Sequence, residues 1–443
     1  MLRTRYSIMH DRSRELAKEA SELTLVFEAS DATIVRRIPA ARPVDPKGER
    51  AHGDAVEHAT LRSSVDWGLP DFVYPGMTRR KGQGTREIGD VVLVTGGLGA
   101  VVQVKSRRPG DAHTTGEREA RWLNKRLSKA RSQARGTLRT LRGSEFASMV
   151  NLRGHEIELH VADTSWVSVI IVDHPSPPEF TPDGTDCLVI LRSEWDFLFD
   201  QLKSTYALLS YLHRVATEPP VMLGHEVARY HLLADADERA EPSKPDVDLL
   251  PNGNHVSAPL LPFETCGSRD PQALAFFRRV LEQVATSPIE DPSDRDLLMR
   301  SLETLDRIPV AFREEWARTW ITWLEQARHD SSLRFNARRV FDPRDASRLT
   351  VIAVSTGGHG LQDDGFRAYT FVCHLELQES VDEASEPTTV GVMLVPLNRA
   401  GGFRSTLICM IGRFDVDPDD REIMREAWTA GAFGSGTGRG SGR

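Results

Sequence analysis

One short run of the chain brings together an acid, an amide and an amine in a pattern suited to a phosphate diester. In Gly89–Arg107 (GDVVLVTGGLGAVVQVKSR), Asp90 leads into the apolar segment Val91–Val94. A glycine-rich turn, Thr95–Gly99, follows, and Gln103 and Lys105 close the second apolar segment, Ala100–Val104. Side chains alternate along a strand, so Gln103 and Lys105 share a face. A short glycine turn makes the two segments a hairpin and folds Asp90 back beside them. Asp90 could then offer Mg2+ (or Mn2+) an anionic oxygen, Gln103 a neutral one and the Val104 main-chain carbonyl a third. Lys105 could hold the attacking water or a phosphate oxygen and offset the negative charge that builds in the transition state. The expected catalytic residues are therefore Asp90, Gln103 and Lys105, and the expected metal ligands Asp90, Gln103 and Val104.

The segment that follows carries the charge such a substrate requires. From Gln103 to Arg142 there are 12 Lys/Arg against 3 Asp/Glu, although the whole chain has a net charge of −8. Glu117–Arg142 reads as one long helix, because Leu123, Leu127, Ala130, Ala134, Leu138 and Leu141 recur at spacings of three and four. Arg118, Arg121, Lys125 and Lys129 form a stripe on another face. With Arg107, they are the expected contacts to a DNA backbone. A basic run of this kind is also what a solvated helix face looks like, and the adjacent hairpin is what favours a polyanion partner. Gln133 is a further supporting candidate on this helix.

Asp90, twelve intervening residues and then Gln103-Val104-Lys105, with an apolar hairpin between, resembles the PD-(D/E)xK nuclease superfamily. Glutamine in place of the second acid, with Ser106-Arg107 following, is similar to its Mrr-type branch; the nuclease-related-domain proteins have a similar core. The resemblance covers roughly residues 55 to 175. It implies an α/β, restriction-endonuclease-like mixed sheet with flanking helices in the order αβββαβ, and Mg2+-dependent DNA cleavage. The superfamily often has a helical glutamate ahead of its first strand, for which Glu57 is the nearest match. Glu87 is a rival second acid, and Pro70-Asp71 fits the motif's name but lies far upstream. A neutral Gln103 gives the site one charge fewer than two acids would. The alternative is therefore a catalytically inactive nuclease-fold module that binds nucleic acid or protein.

The rest of the chain divides by composition. Residues 1–50 form an N-terminal segment expected to be partly disordered or an appendage, with a helix over Arg14–Phe27, a strand over Ala32–Ile38 and a proline-rich end. Residues 51–233 form the nuclease-like domain. Within it, strands are expected at Asp71–Tyr74 (ended by Pro75-Gly76), Met149–Leu159, Trp166–Asp173 and Cys187–Leu191. A helix capped by Ser193 should run from Trp195 through Leu212. Residues 234–257, rich in Asp, Pro, Asn and Gly, read as a linker. Residues 258–432 read as an α+β domain of unknown role with an antiparallel or meander-like sheet, through which a homodimer or a partner protein could be engaged. Its helices are expected at Pro271–Ala285, Pro292–Leu305, Val310–Arg328 and Asp419–Trp428. Its strands are expected at Thr350–Val354, Tyr369–Leu377, Thr389–Leu394 and Ser405–Ile411. Residues 433–443 read as a flexible tail.

Other signals carry less. Four scattered cysteines make no zinc pattern, and no apolar stretch suits a membrane span, so a cytoplasmic protein without membrane contact is expected. His225 and His231 are six apart, which a zinc-protease helix does not use. Gly357–Gly360 reads as a plain loop. His374 and Glu376 should share a strand face, which could bind a metal but better suits a satisfied histidine in a half-buried strand, and Trp316, Trp320 and Trp323, at helical spacing, should be core or an interdomain seam.

Overall fold

In the computed structural model, the described residues are 22–29, 32–39, 52–81, 84–111, 115–143, 145–184, 186–239, 261, 270–286, 294–329, 335–342, 345–356, 361–397, 402–417 and 421–423. They form an α/β protein with two principal mixed sheets. An N-terminal hairpin, β1 (Glu22–Ala29) and β2 (Ala32–Pro39), comes first, so Glu22–Phe27 is strand where a helix is expected; residues 14–21 lie outside the described set.

Helix α1 (His52–Trp67) precedes three antiparallel strands: β3 (Val73–Lys81), β4 (Gly84–Thr95) and β5 (Leu98–Ser106). Helix α2 (Gly116–Arg142) follows, then a separate hairpin of β6 (Phe146–Val150) and β7 (Glu156–His160) where a single strand is expected. The chain returns as β8 (Ser165–Asp173), parallel to β5, and β9 (Leu188–Leu191), parallel to β8. The sheet order is β3-β4-β5-β8-β9. Helix α2 packs Leu123, Leu127 and Ala130 against Ile170, Val172 and Val189 on one face. The other face buries Val91, Leu93, Val102, Val104, Val169 and Ile171 under α1 and the helices α3 (Arg192–Leu202), α4 (Thr205–Val215) and α5 (Glu226–Arg239). Helix α5 runs to Arg239, so the first six residues of the expected linker are helical; the remainder lie outside the described set.

The expected helix through Leu212 is two helices. Lys203 sits at φ 53°, and Ser204 caps α4 by accepting the Ala207 N–H at 3.0 Å. The start of α3 also differs: its N-cap is Leu191 rather than Ser193, and Glu194 accepts the Leu191 N–H at 2.7 Å. The break receives Asp306 from the C-terminal half, whose carboxylate accepts the Tyr206 N–H at 2.9 Å and whose carbonyl accepts the Ser204 hydroxyl at 2.7 Å.

The C-terminal half has helices α6 (Pro271–Ala285), α7 (Asp294–Asp306), α8 (Val310–His329) and α9 (Leu361–Ser380) around the sheet β10-β11-β12-β13. These strands are β10 (Phe335–Asp342), β11 (Asp345–Ser355), β12 (Thr388–Pro396) and β13 (Phe403–Ile411). Asp270 caps α6 with Pro271 at its first position, as expected. The sheet is not a meander: β11 and β12 are parallel, joined through α9. The expected strand Tyr369–Leu377 is helical because Phe366, Tyr369, Cys373 and Leu377 recur at spacings of three and four and pack on Leu349, Val351 and Met393. Helices α6–α8 cover the opposite face, with Trp316 and Trp320 buried and Trp323 packed against them. Leu69 and Phe72 of the N-terminal half join that core. Of the expected last helix, Arg421–Ile423 is described and helical; Gly357–Gly360 and the tail lie outside the described residues.

His374 is therefore on a helix, where Glu376 points to a different side. It is buried; its Nε2 donates to the Gly412 carbonyl at 2.8 Å, and its Nδ1 accepts from the Thr389 hydroxyl at 2.9 Å. Burial pushes its pKa below the ordinary histidine value. The unfolded chain then binds the proton more readily, so this contribution to stability is complete above about pH 6.5 and is lost as pH falls below it. Wild-type protein should melt at a lower temperature at pH 5 than at pH 7.5. His374→Gln should lose less between the two, and an equal or larger loss in the variant would contradict this role.

Candidate active site

The hairpin turn is tighter than the glycine run suggests. Thr95 pairs with Leu98, and the turn is Gly96-Gly97 at φ 58° and 75°. A two-residue turn with both φ positive matches the twist of antiparallel strands and excludes most side chains.

From this turn the β4–β5 ladder is regular to Val91↔Val102, and then the strands part. The cause lies on the other edge of β4. Pro75 faces Val91 but Met77 faces Ile88, so Gly89 and Asp90 together oppose Gly76. This is a β-bulge, which bends a strand and re-aims a side chain. Strand β3 therefore does not end at Pro75-Gly76; as an edge strand it tolerates the proline and continues to Lys81. Val104 is left with the N–H and carbonyl that the next ladder pair would have used. Asp90 Oδ2 accepts that N–H at 2.6 Å, and the Lys105 Nζ donates to that carbonyl at 2.8 Å. The same Nζ lies 3.5 Å from Gln103 Oε1 and 3.6 Å from Asp90 Oδ2. Asp90 and Lys105 side chains are 14% and 15% exposed, and Gln103 is buried. The bulge thus brings the three expected residues and the Val104 carbonyl to one point.

Gln103 and Lys105 are in register with Ile170 and Val172 of β8, the residues that α2 covers. Arg118, Arg121, Lys125 and Lys129 lie exposed along α2. Arg107 does not join them. Its guanidinium grips Glu119 through two hydrogen bonds, at 2.9 and 3.1 Å, and lies 5.2 Å from the Trp122 ring. Glu119, itself buried, also meets His174 Nε2 at 2.9 Å. Arg107 thus braces the end of β5 against the first turn of α2. Glu119 falls four residues before Leu123, in phase with the buried stripe, and that phase is the sequence signal that identifies it.

Two of the supporting candidates, Gln133 and Glu57, do not join the site. Gln133 has a buried side-chain oxygen with no hydrogen-bond partner among the described residues, and it makes no hydrogen bond to Asp90, Gln103 or Lys105. Glu57 is on α1, which packs on the opposite face of the sheet. Glu87 lies in β4 opposite Thr78. Behind the site a second polar group holds the strand ends. Asp173, in register with Ser106, accepts from Arg192 at 3.0 Å; Arg192 also pairs with Asp196 at 2.8 Å, and Asp196 accepts from Ser63 of α1.

Asp90, Gln103 and the Val104 carbonyl are hard oxygen donors, the type Mg2+ and Mn2+ take alongside several waters. Among the described residues no group of three or more His, Cys, Asp or Glu gathers to hold a metal. A single carboxylate with two neutral oxygens fits a weakly held, water-rich ion. Comparison with protein-family models, with curated proteins and with solved structures finds no match in any of the three.

Proposed function

We propose that the protein is a Mg2+-dependent DNA endonuclease. The observation that carries this reading is the convergence of Asp90, Gln103, Val104 and Lys105 at the bulged end of β4, beside an exposed basic helix. With the separate β6–β7 hairpin between α2 and β8 set aside, the order α1-β3-β4-β5-α2-β8, with β5 and β8 parallel, is the one the resemblance implies and supports this reading. In this reading Asp90, Gln103 and the Val104 carbonyl would hold the ion, which would supply Lewis acidity to the phosphate and the attacking water. Lys105 donates hydrogen bonds to the attacked phosphate or the attacking water and compensates the charge gained there. The α2 stripe holds the DNA backbone through its phosphates, without reading sequence. Restriction, defence and repair are the processes that use such chemistry.

The test is incubation with linear duplex, circular duplex and single-stranded DNA under Mg2+ or Mn2+, with a chelator control. Cleavage of at least one substrate that stops on chelation is expected. No cleavage of any substrate with either ion would remove the enzymatic reading. The single carboxylate favours one alternative, a nuclease-fold module that binds DNA without cutting it, which predicts salt-dependent binding and intact DNA in the same assay.

A further inference from the structure

We infer that the Lys105 ammonium is a built-in counter-cation of the oxygen pocket, and that it must leave before a divalent ion can bind. The inference rests on the reading of Asp90, Gln103 and Val104 as metal ligands. Every oxygen in that reading converges on one nitrogen: Nζ lies 2.8 Å from the Val104 carbonyl, 3.5 Å from Gln103 Oε1 and 3.6 Å from Asp90 Oδ2. The ammonium thus sits where the ion would sit. Two cations cannot share that point, because their repulsion is strong in a site this shielded from water.

The local backbone explains why the lysine settles there. The bulge strips the Val104 carbonyl of its ladder partner, and an unpaired buried carbonyl is costly. Lys105 satisfies it, and Asp90 is the one carboxylate that meets the ammonium among the described residues. The ammonium therefore already engages all three of these oxygen groups. A lysine stem is long and flexible, so the displaced ammonium remains on the face that α2 flanks. There a DNA phosphate gives it a new anionic partner. Metal and DNA then bind with positive coupling: each is weak alone, and each strengthens the other by the same factor.

The test is Mn2+ binding to DNA-free protein, measured by calorimetry and by the loss of the free-ion paramagnetic signal. Lys105→Met keeps the length of the stem and removes the charge. It should bind Mn2+ about tenfold more tightly than wild type, a modest share of the repulsion between two cations at this separation, and Asp90→Asn combined with it should abolish that gain. Equal or weaker binding by Lys105→Met overturns the inference and leaves the metal-ligand reading in place. No binding by either wild type or variant overturns both. A second measurement needs no variant: amine-reactive labelling of wild-type Lys105, read by mass spectrometry against the other lysines, should become faster when Mn2+ is added. Unchanged or slower labelling of Lys105 with Mn2+ bound counts against the displacement.

Discussion

Asp90→Asn should lower metal-dependent DNA cleavage by about 10²–10³-fold, the range seen when one preorganised electrostatic group is removed from an active site. Asparagine is chosen over alanine because Asp90 has a structural task as well. Its Oδ2 accepts the Val104 N–H at 2.6 Å, the N–H that the bulge leaves without a ladder partner. The amide oxygen of asparagine can keep that bond while the charge disappears. The variant should therefore keep its far-ultraviolet circular dichroism and melt within a few degrees of wild type, with the defect confined to metal binding and turnover. Alanine would orphan the N–H and mix a folding defect, on the order of 1–3 kcal/mol, with the catalytic one. Near wild-type cleavage by the asparagine variant would mean that Asp90 is only a strand-end cap.

A large change in DNA affinity should follow neutralisation of α2. Arg118, Arg121, Lys125 and Lys129 are all exposed, and replacing them together with glutamine keeps the helix propensity close to that of the native residues. A cation that neutralises a phosphate releases counterions, so the slope of log K against log salt should become shallower by about 0.9 for each phosphate no longer neutralised, roughly 3–4 in all. At moderate ionic strength the affinity should fall by about 10²-fold or more. Fluorescence anisotropy with a labelled duplex across a salt series measures both quantities. An unchanged slope would assign the basic stripe to solvent or to a protein partner. Arg107→Gln should behave differently. Its guanidinium is held by Glu119, so its removal should lower thermal stability and leave the salt slope nearly unaltered.

The hairpin is legible in sequence because its signals are local: two apolar segments, a glycine turn and a period of two that puts Gln103 and Lys105 on one face. What makes it a site is not local. The bulge at Gly89-Asp90 exists only relative to the register of β3, and no property of residues 89–107 announces it. The break between α3 and α4 is similar, since the groups that satisfy Ser204 and Tyr206 come from Asp306, about a hundred residues away. Helix α9 reads as a strand because Tyr369–Leu377 is rich in aromatic and β-branched residues, yet its burial at Phe366, Tyr369, Cys373 and Leu377 follows a helical period. Glu119 falls in phase with the apolar stripe of α2, but its pairing with Arg107 is not legible, because it spans a loop and depends on where α2 docks on the sheet.

The chemistry itself is tested most directly on supercoiled plasmid. Wild-type protein and Lys105→Ala, at equal concentration, are incubated with Mg2+ and then with excess chelator. Nicked or linear product from wild type alone, halted by the chelator, is the predicted result. Metal-dependent cleavage that survives in Lys105→Ala would contradict the assignment of this hairpin as the active site.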